Sequence, residues 1–450
     1  MSRKEAPDVP SAPSVPTGNN PFDEVSEIEA AAAREPAAPL QEEPIPRVGA
    51  WFTIVYTFTY LGLFLVLFMP SLFSLAYKLS TLEQTGKEAS LGLVIGIGAL
   101  ASLVLGPIFG VLSDATRLAW GRRRPFMVIG LAFSAIGATV IALAPNVVVI
   151  LVGWIIAQAG TSSMSAAMNP VLPERVPQSQ RGKLGALSGV AASIAGVTAT
   201  LVGSLLVGNA FLLFLLPVAV FAVGMVLWLI VIPDAPAPPS IERRSVLDSL
   251  RSLLFDPRKH KDFAWVWIGK FCLLVGTAFF STYQLYFMLD RLGFTVRQAG
   301  AQLAIVGGIG ILATMLFTIG GGLISDRLRR RKPFIYMAAG LIAVGMIIAG
   351  LAPNFLVYVV GGTLLAAGTG AFNSVDLALA SDVLPDKTES GKWMSIYNLS
   401  GSLASAVGPV IAPLILFIGT SKANYTLLFI FGGVLALGAA ITAARVRGAR

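Results

Sequence analysis

The sequence predicts an all-α membrane protein whose twelve transmembrane helices form two pseudo-symmetric six-helix bundles. Three observations carry that prediction. Of 450 residues, 55% are hydrophobic and only 13% are charged, and the mean hydropathy is +0.76, a balance outside the soluble globular range. The apolar residues gather into runs long enough to cross a hydrocarbon core, which takes about 20 helical residues. Finally, one loop occurs twice: Gly110 to Pro125 and Gly322 to Pro333 share the order Gly, Asp, basic cluster, Pro between apolar runs.

Residues 1–50 are rich in Pro, Ala and acids, from Glu5 to Glu43, and bury too little apolar surface to offset their ordering entropy. They are expected to be a disordered cytoplasmic tail. No apolar stretch follows a basic start early enough for a signal peptide. Spans then follow at 51–77, 91–113, 125–144, 147–169, 184–206 and 211–232 for a first bundle, 51–232. A second bundle, 263–443, takes 263–289, 299–324, 334–352, 356–378, 394–418 and 424–443. Helices are the expected spanning element because backbone groups in lipid need partners within their own segment. Between the bundles, 233–262 opens with the stiff run Pro233 to Pro239, and Val246, Leu247, Leu250, Leu253 and Leu254 then keep helical spacing. That pattern suits an amphipathic helix on the inner leaflet. Residues 444–450 form a short C-terminal tail.

Lys and Arg set the expected orientation. One set of alternate loops holds Arg117, Arg122, Arg123, Arg124, Arg175, Arg181, Lys183, the clusters within 243–261 and 327–332, Lys387 and Lys392, and the C-terminus adds Arg445, Arg447 and Arg450. The opposite side has Lys78, Lys87, Arg291, Arg297 and Lys422. Both termini are therefore expected in the cytoplasm of a multi-pass cell-membrane protein. The formal charge of +9 is a topology signal and implies no nucleic-acid partner.

The repeat extends beyond the loop. Asp114 and Asp326 are 212 residues apart, and Pro125 and Pro333 are 208 apart. The 208-residue offset then relates Ala144-Pro145-Asn146 to Ala352-Pro353-Asn354, Ala159-Gly160-Thr161 to Ala367-Gly368-Thr369, and Glu174 to Asp382. Both copies run in the same direction, which implies a parallel repeat about an axis normal to the membrane with substrate between the halves.

The Gly-x-x-x-Asp loop with its basic residues, after the second helix and again after the eighth, resembles the loop signature of the major facilitator superfamily over nearly all of 51–445. More narrowly, Asp114 to Pro125 is similar to the loop of glycoside-pentoside-hexuronide and sucrose-type sugar symporters, as is Leu172 to Pro177 with Arg181-Gly182. The resemblance implies alternating-access transport of a sugar or glycoside. Sodium-coupled members carry acids within the second helix, and 91–113 has none, so proton coupling or facilitated diffusion is expected. The Gly-Pro motif of drug-efflux members is missing from Gly189 to Thr198. An efflux antiporter and a non-transporting sensor remain as alternative readings.

Residue inventory excludes much else. His260 is the sole histidine and Cys272 the sole cysteine, so no catalytic triad, His-rich metal centre or disulfide is available, and no Walker A pattern occurs. No enzyme activity, cofactor or metal is expected, and the chain is expected to function as a monomer. A cytoplasmic gate is expected from Asp114, Arg117, Gly121, Arg122, Arg123, Arg124, Glu174, Arg181, Asp326, Arg327, Arg330 and Asp382. Carboxylates there accept charge-assisted hydrogen bonds from loop arginines and face helix N-termini of the other half, contacts expected only when that side is closed. Substrate or coupling candidates are Tyr56, Tyr60, Gln158, Thr161, Lys270, Tyr283, Gln284, Asn373, Asp376 and Asn398, which supply hydrogen-bonding groups, an aromatic face or an intramembrane charge. Gly92, Gly96 and Gly98, and Gly307, Gly308 and Gly310, read as surfaces of close helix approach.

Overall fold

The computed structural model describes residues 46–83, 85–234, 255–328, 330–386, 388–419 and 423–446. Most of the N-terminal tail and the expected amphipathic helix of the linker lie outside these residues, as does the side chain of Asp326. Twelve helices among the described residues are long and apolar enough to cross a membrane. The first six are α1 (Ala50–Leu82), α2 (Lys87–Asp114), α3 (Arg124–Leu143), α4 (Val147–Arg175), α5 (Gln178–Leu205) and α6 (Ala210–Val231). The second six are α7 (Lys261–Arg291), α8 (Val296–Ser325), α9 (Lys332–Leu351), α10 (Phe355–Asp382), α11 (Ser390–Leu416) and α12 (Tyr425–Arg445).

Local chemistry explains the helix ends. Asn146, Asn209, Asn354 and Asn424 each accept a hydrogen bond from the backbone N–H three residues on, capping α4, α6, α10 and α12. The Ala-Pro-Asn triplets of the repeat are thus tight turns ending in a helix cap. Several helices outrun their apolar cores. In particular α2 begins at Lys87, four residues before the hydropathic span, because Lys87 and Glu88 find polar partners in the other bundle. The run 91–113 holds no acid, but α2 extends beyond it at both ends and takes in Glu88 in its first turn and Asp114 as its last residue. α1 and α7 both loosen into a π-helical turn towards the same end, at Pro70–Ser74 and Phe287–Arg291.

The two bundles repeat one packing plan. In the first, α1 lies against α5 and α6, α2 against α4, and α3 against α4 and α6. In the second, α7 lies against α11 and α12, α8 against α10, and α9 against α10 and α12. Between bundles, α2 meets α11 and α5 meets α8. Since lipid tails are as apolar as leucine, close packing by small residues holds such helices together. A Cβ on Gly137 of α3 would stand 2.6 Å from the Ala157 nitrogen and from the Gly153 oxygen of α4. Its repeat partner Gly345 of α9 would meet the Gly361 oxygen and the Leu365 nitrogen of α10 at 2.6 Å.

The end bearing the arginine loops is here the basic end, the other the far end. At the far end the bundles touch: a Cβ on Gly92 of α2 would lie 2.2 Å from the Pro409 carbonyl oxygen of α11, and one on Gly300 of α8 2.4 Å from Ser204 of α5. Towards the basic end, Gly106 and Gly110 of α2 and Gly189 and Gly196 of α5 have nothing within 4 Å of such a position. The molecule is closed at the far end and open at the basic end.

Gly137→Val is expected to force α3 from α4 and to destabilise the protein by about 1–3 kcal/mol, whereas Gly189→Ala is neutral or better. Thermal denaturation of both variants in detergent checks this, and equal midpoints would refute the packing argument.

Candidate functional site

Two confluent cavities run from the centre of the molecule to the basic end. The central one, about 440 Å³, draws its walls from both bundles, with Phe68 and Ser71 of α1, Trp154 and Gln158 of α4, Ser281 and Thr282 of α7, and Ser402, Ser405 and Pro409 of α11. The second, about 380 Å³, shares Leu67 and Ser102 with it and descends past Thr161, Ser162 and Asn169 to Asp114 and Arg123. Helical register explains who lines it. On α4, Trp154, Gln158, Thr161, Ser162, Ser165 and Asn169 follow steps of three and four and share one face. Ser102 and Ser162 hydrogen-bond across α2 and α4 at 3.1 Å, and Thr161 lies 3.3 Å from the Gln158 side-chain oxygen. Among the described residues, ionisable side chains enter the lining only at the mouth, as Asp114 and Arg123.

Of the expected substrate residues, Gln158 and Thr161 line this path. Others are corrected by the fold. Tyr56 is 1% exposed and packs on Trp228 of α6 with ring centroids 5.7 Å apart, so it belongs to the interior of the first bundle. Tyr60 is buried beside it, and its hydroxyl donates to the Asn169 side chain at 3.2 Å. Gln284 is half-buried and Asn373 and Asn398 are exposed, all three outside the lining of either cavity. Tyr283 belongs to the far-end seam, where its hydroxyl points at the backbone oxygens of Glu88 (3.1 Å) and Pro409 (3.2 Å). These misplacements share a cause. Hydrogen-bonding residues in membrane helices serve packing as readily as binding, and only the face they take decides.

Lys270 and Asp376 meet inside the second bundle. The Lys270 ammonium lies 2.9 Å from an Asp376 oxygen and 3.9 Å from the centre of the Tyr397 ring, while the Tyr397 hydroxyl donates to the other Asp376 oxygen. Side-chain exposures of 10% and 13% mean both charges are largely withdrawn from solvent, which demands such pairing. Lys270 is thus committed to α10 and α11 rather than snorkelling to the interface.

At the basic end the repeated loops build matching ion pairs. Arg123, 5% exposed, holds Asp114 at 2.7 Å and Glu174 at 2.7 Å, and Arg122 also reaches Glu174 at 2.8 Å. In the second bundle, at the same 208-residue offset, Arg331 pairs with Asp382 at 2.5 Å. Arg331, rather than the expected Arg330, is the paired residue; Arg327 and Arg330 are exposed. The Asp114–Arg123 pair forms with this end open because both partners belong to one bundle, which corrects the expectation that it needs closure. Arg117 is exposed, and Arg181 instead ties its own loop, donating to the backbone oxygens of Val176 and Pro173. Arg124 donates to the Ile232 oxygen at 3.1 Å.

Asp234, unremarked in the proline-rich start of the linker, completes the first loop. Its carboxylate accepts the backbone N–H groups of Arg123 (2.8 Å) and Arg124 (3.0 Å) at the start of α3. Gly121 has φ +112°, and a Cβ there would lie 2.2 Å from that carboxylate, so glycine is required both for conformation and for space. The far-end residues Glu88 and Asp290 were also missed, because each falls just past the apolar core of its helix.

Twelve spanning helices around a polar cavity shared by two bundles are the architecture of a multi-pass membrane transporter. The Major Facilitator Superfamily profile matches residues 59–320 and 311–449, and the chain belongs to that superfamily. It is 28% identical over 378 residues to the inner membrane transport protein YajR of Escherichia coli K12, covering 81% of this chain and 76% of that protein. In fold it is similar to the nucleoside transporter NupG, with TM-score 0.68 and 15% identity over 88% of this chain and 99% of that one. It is likewise similar to a D-xylose-proton symporter, with TM-score 0.65 and 19% identity over 87% of this chain and 97% of that one.

Arg123→Ala removes a buried cation shared by Asp114 and Glu174; because Asp114 is 53% exposed and Glu174 keeps Arg122, the expected cost is about 1.5–3 kcal/mol. Arg331→Ala, in a pair whose two side chains are 27% and 38% exposed, is expected to cost about 1 kcal/mol or less, and Arg330→Ala about nothing. Unfolding midpoints in detergent rank the three; an Arg123 variant as stable as the Arg330 variant would contradict the ion-pair assignment.

Proposed function

We propose that the protein takes up a neutral polyhydroxylated solute of the sugar class together with a proton, by rocking its two bundles about the central cavity. The observation that carries this reading is the chemistry of the cavity wall. Gln158, Ser71, Ser102, Ser281, Thr282, Ser402 and Ser405 offer donors and acceptors, Phe68 and Trp154 offer aromatic faces, and among the described residues no ionisable side chain lines the central chamber. Such a wall suits a solute with many hydroxyls and an apolar ring face, and its volume of about 440 Å³ lies within the usual range of small-molecule sites. The nucleoside and xylose transporters of similar fold are in keeping with that class.

The excess of Lys and Arg at one end supports placing it, with both termini, at the cytoplasm; the conformation described is then inward-open. The half-exposed face of Asp114 remains available for the other bundle when that side closes. The Lys270–Asp376–Tyr397 group is our candidate for proton coupling, since ionisable residues held inside a membrane span mark ion and proton pathways.

Uptake into right-side-out vesicles tests the reading. Accumulation of one or more radiolabelled mono- or disaccharides is expected, with Gln158→Ala raising the half-saturating concentration about two- to tenfold, the loss of roughly one neutral hydrogen-bonding contact. Asp376→Asn is expected to abolish pH-driven accumulation while retaining counterflow. Neither accumulation nor counterflow across the panel would end the sugar reading, and counterflow with accumulation indifferent to a pH gradient would end proton coupling.

A further inference from the structure

We propose that the lower chamber, at the basic end, is a second binding station for a sugar ring, distinct from the central cavity and built by the first bundle alone; the proposal rests on the sugar reading above. The chamber holds about 380 Å³, room for a small solute in its own right. One wall is aromatic. Phe64 of α1 lines it as Phe68 lines the central cavity, and the two rings, one helical turn apart, stack with centroids at 5.6 Å and planes 24° from parallel. Another wall is polar, with Ser162, Ser165 and Asn169 of α4. Each chamber thus has an aromatic ring of α1 and a side-chain amide of α4, Gln158 in the central one and Asn169 in the lower.

The lower amide is aimed. The Tyr60 hydroxyl, itself buried, donates to the Asn169 side-chain oxygen at 3.2 Å, so Asn169 offers the chamber its two N–H donors. Tyr60 is therefore a positioning residue that acts through Asn169. Asp114 supplies the complement. Arg123 holds one of its oxygens at 2.7 Å, yet the Asp114 side chain stays 53% exposed and lines the chamber, where a carboxylate accepts from hydroxyl donors. With the Asp114 charge balanced by Arg123, the station suits a neutral ring whose hydroxyls both donate and accept and whose apolar face rests on Phe64.

The repeat shows that this chamber is no by-product of the fold. Beside it, Ser102 of α2 and Ser162 of α4 meet through their hydroxyls at 3.1 Å. Their counterparts in the second bundle are Thr314 of α8 and Gly370 of α10, 212 and 208 residues on. There the helices close up: a Cβ on Gly370 would stand 2.4 Å from the Thr314 carbonyl oxygen. The counterpart of Asn169 is Leu377, an exposed apolar residue. The packing plan is common to both bundles, whereas the polar chamber departs from it at the positions that would hold a ring.

The test uses the full chain in lipid nanodiscs, in a Cys272→Ser background, with one thiol added to the wall of either chamber. Gly106→Cys serves the lower chamber, where a Cβ meets nothing within 4 Å, and Ala99→Cys the central one. The rate of alkylation by N-ethylmaleimide is followed against the concentration of each saccharide of the mono- and disaccharide panel, and protection of both thiols is expected. At Gly106→Cys, Asn169→Ala and Phe64→Leu should each raise the half-protecting concentration about two- to tenfold, the worth of one neutral contact. Tyr60→Phe should raise it less, and Gln158→Ala should leave it unchanged. At Ala99→Cys, protection should survive Asn169→Ala, which also shows that variant to be folded. Protection of Gly106→Cys that is lost with Gln158→Ala and indifferent to Asn169→Ala comes from the central cavity and overturns the station, as does protection confined to Ala99→Cys. If no saccharide protects either thiol, the sugar reading itself fails and the station with it, so the two failures are told apart.

Discussion

The contact of Gly92 with the Pro409 carbonyl, with the Tyr283 hydroxyl against both helices, is the constraint on which the rest of the architecture turns. It brings the far halves of α2 and α11 to backbone distance, where no larger side chain fits. With the bundles held there, the basic halves splay, and the space between them becomes a cavity that narrows towards the seam. The polar wall of Gln158 and the surrounding hydroxyls is reached from the basic end because that seam is shut.

The ion pairs divide by their role in motion. Those of the basic end, Arg123 with Asp114 and Glu174 and Arg331 with Asp382, stay within one bundle and survive when the bundles part. They brace each loop within its own bundle. The far-end pair of Lys87 and Asp290 crosses between bundles and must break for that end to open. A charged pair in the first position stiffens one bundle; in the second it ties one bundle to the other.

Much of the fold was legible because its signals are local. The length of each apolar run, the 208-residue repeat and the Asn caps after Ala-Pro each depend on a few neighbouring residues. The matched pairs Arg123–Glu174 and Arg331–Asp382 were half legible. The repeat matched Glu174 with Asp382, but a run of adjacent arginines does not reveal which one turns inward, and Arg331 rather than Arg330 does so. The cavity was less legible. Gln158 was found as a rare amide in an apolar run, whereas Ser281, Thr282, Ser402 and Ser405 look like the serines and threonines that pack helices elsewhere.

By itself the sequence determined a membrane protein of two parallel six-helix repeats with an asymmetric charge distribution, because hydrocarbon imposes helix length, backbone satisfaction and charge placement segment by segment. Only the tertiary structure decided that Tyr56 packs inside a bundle, that Lys270 meets Asp376 and Tyr397, and that Glu88, Asp290 and Tyr425 converge across the seam. These residues are brought together from distant helices, and which face of a helix meets which neighbour is set by the packing of all twelve at once.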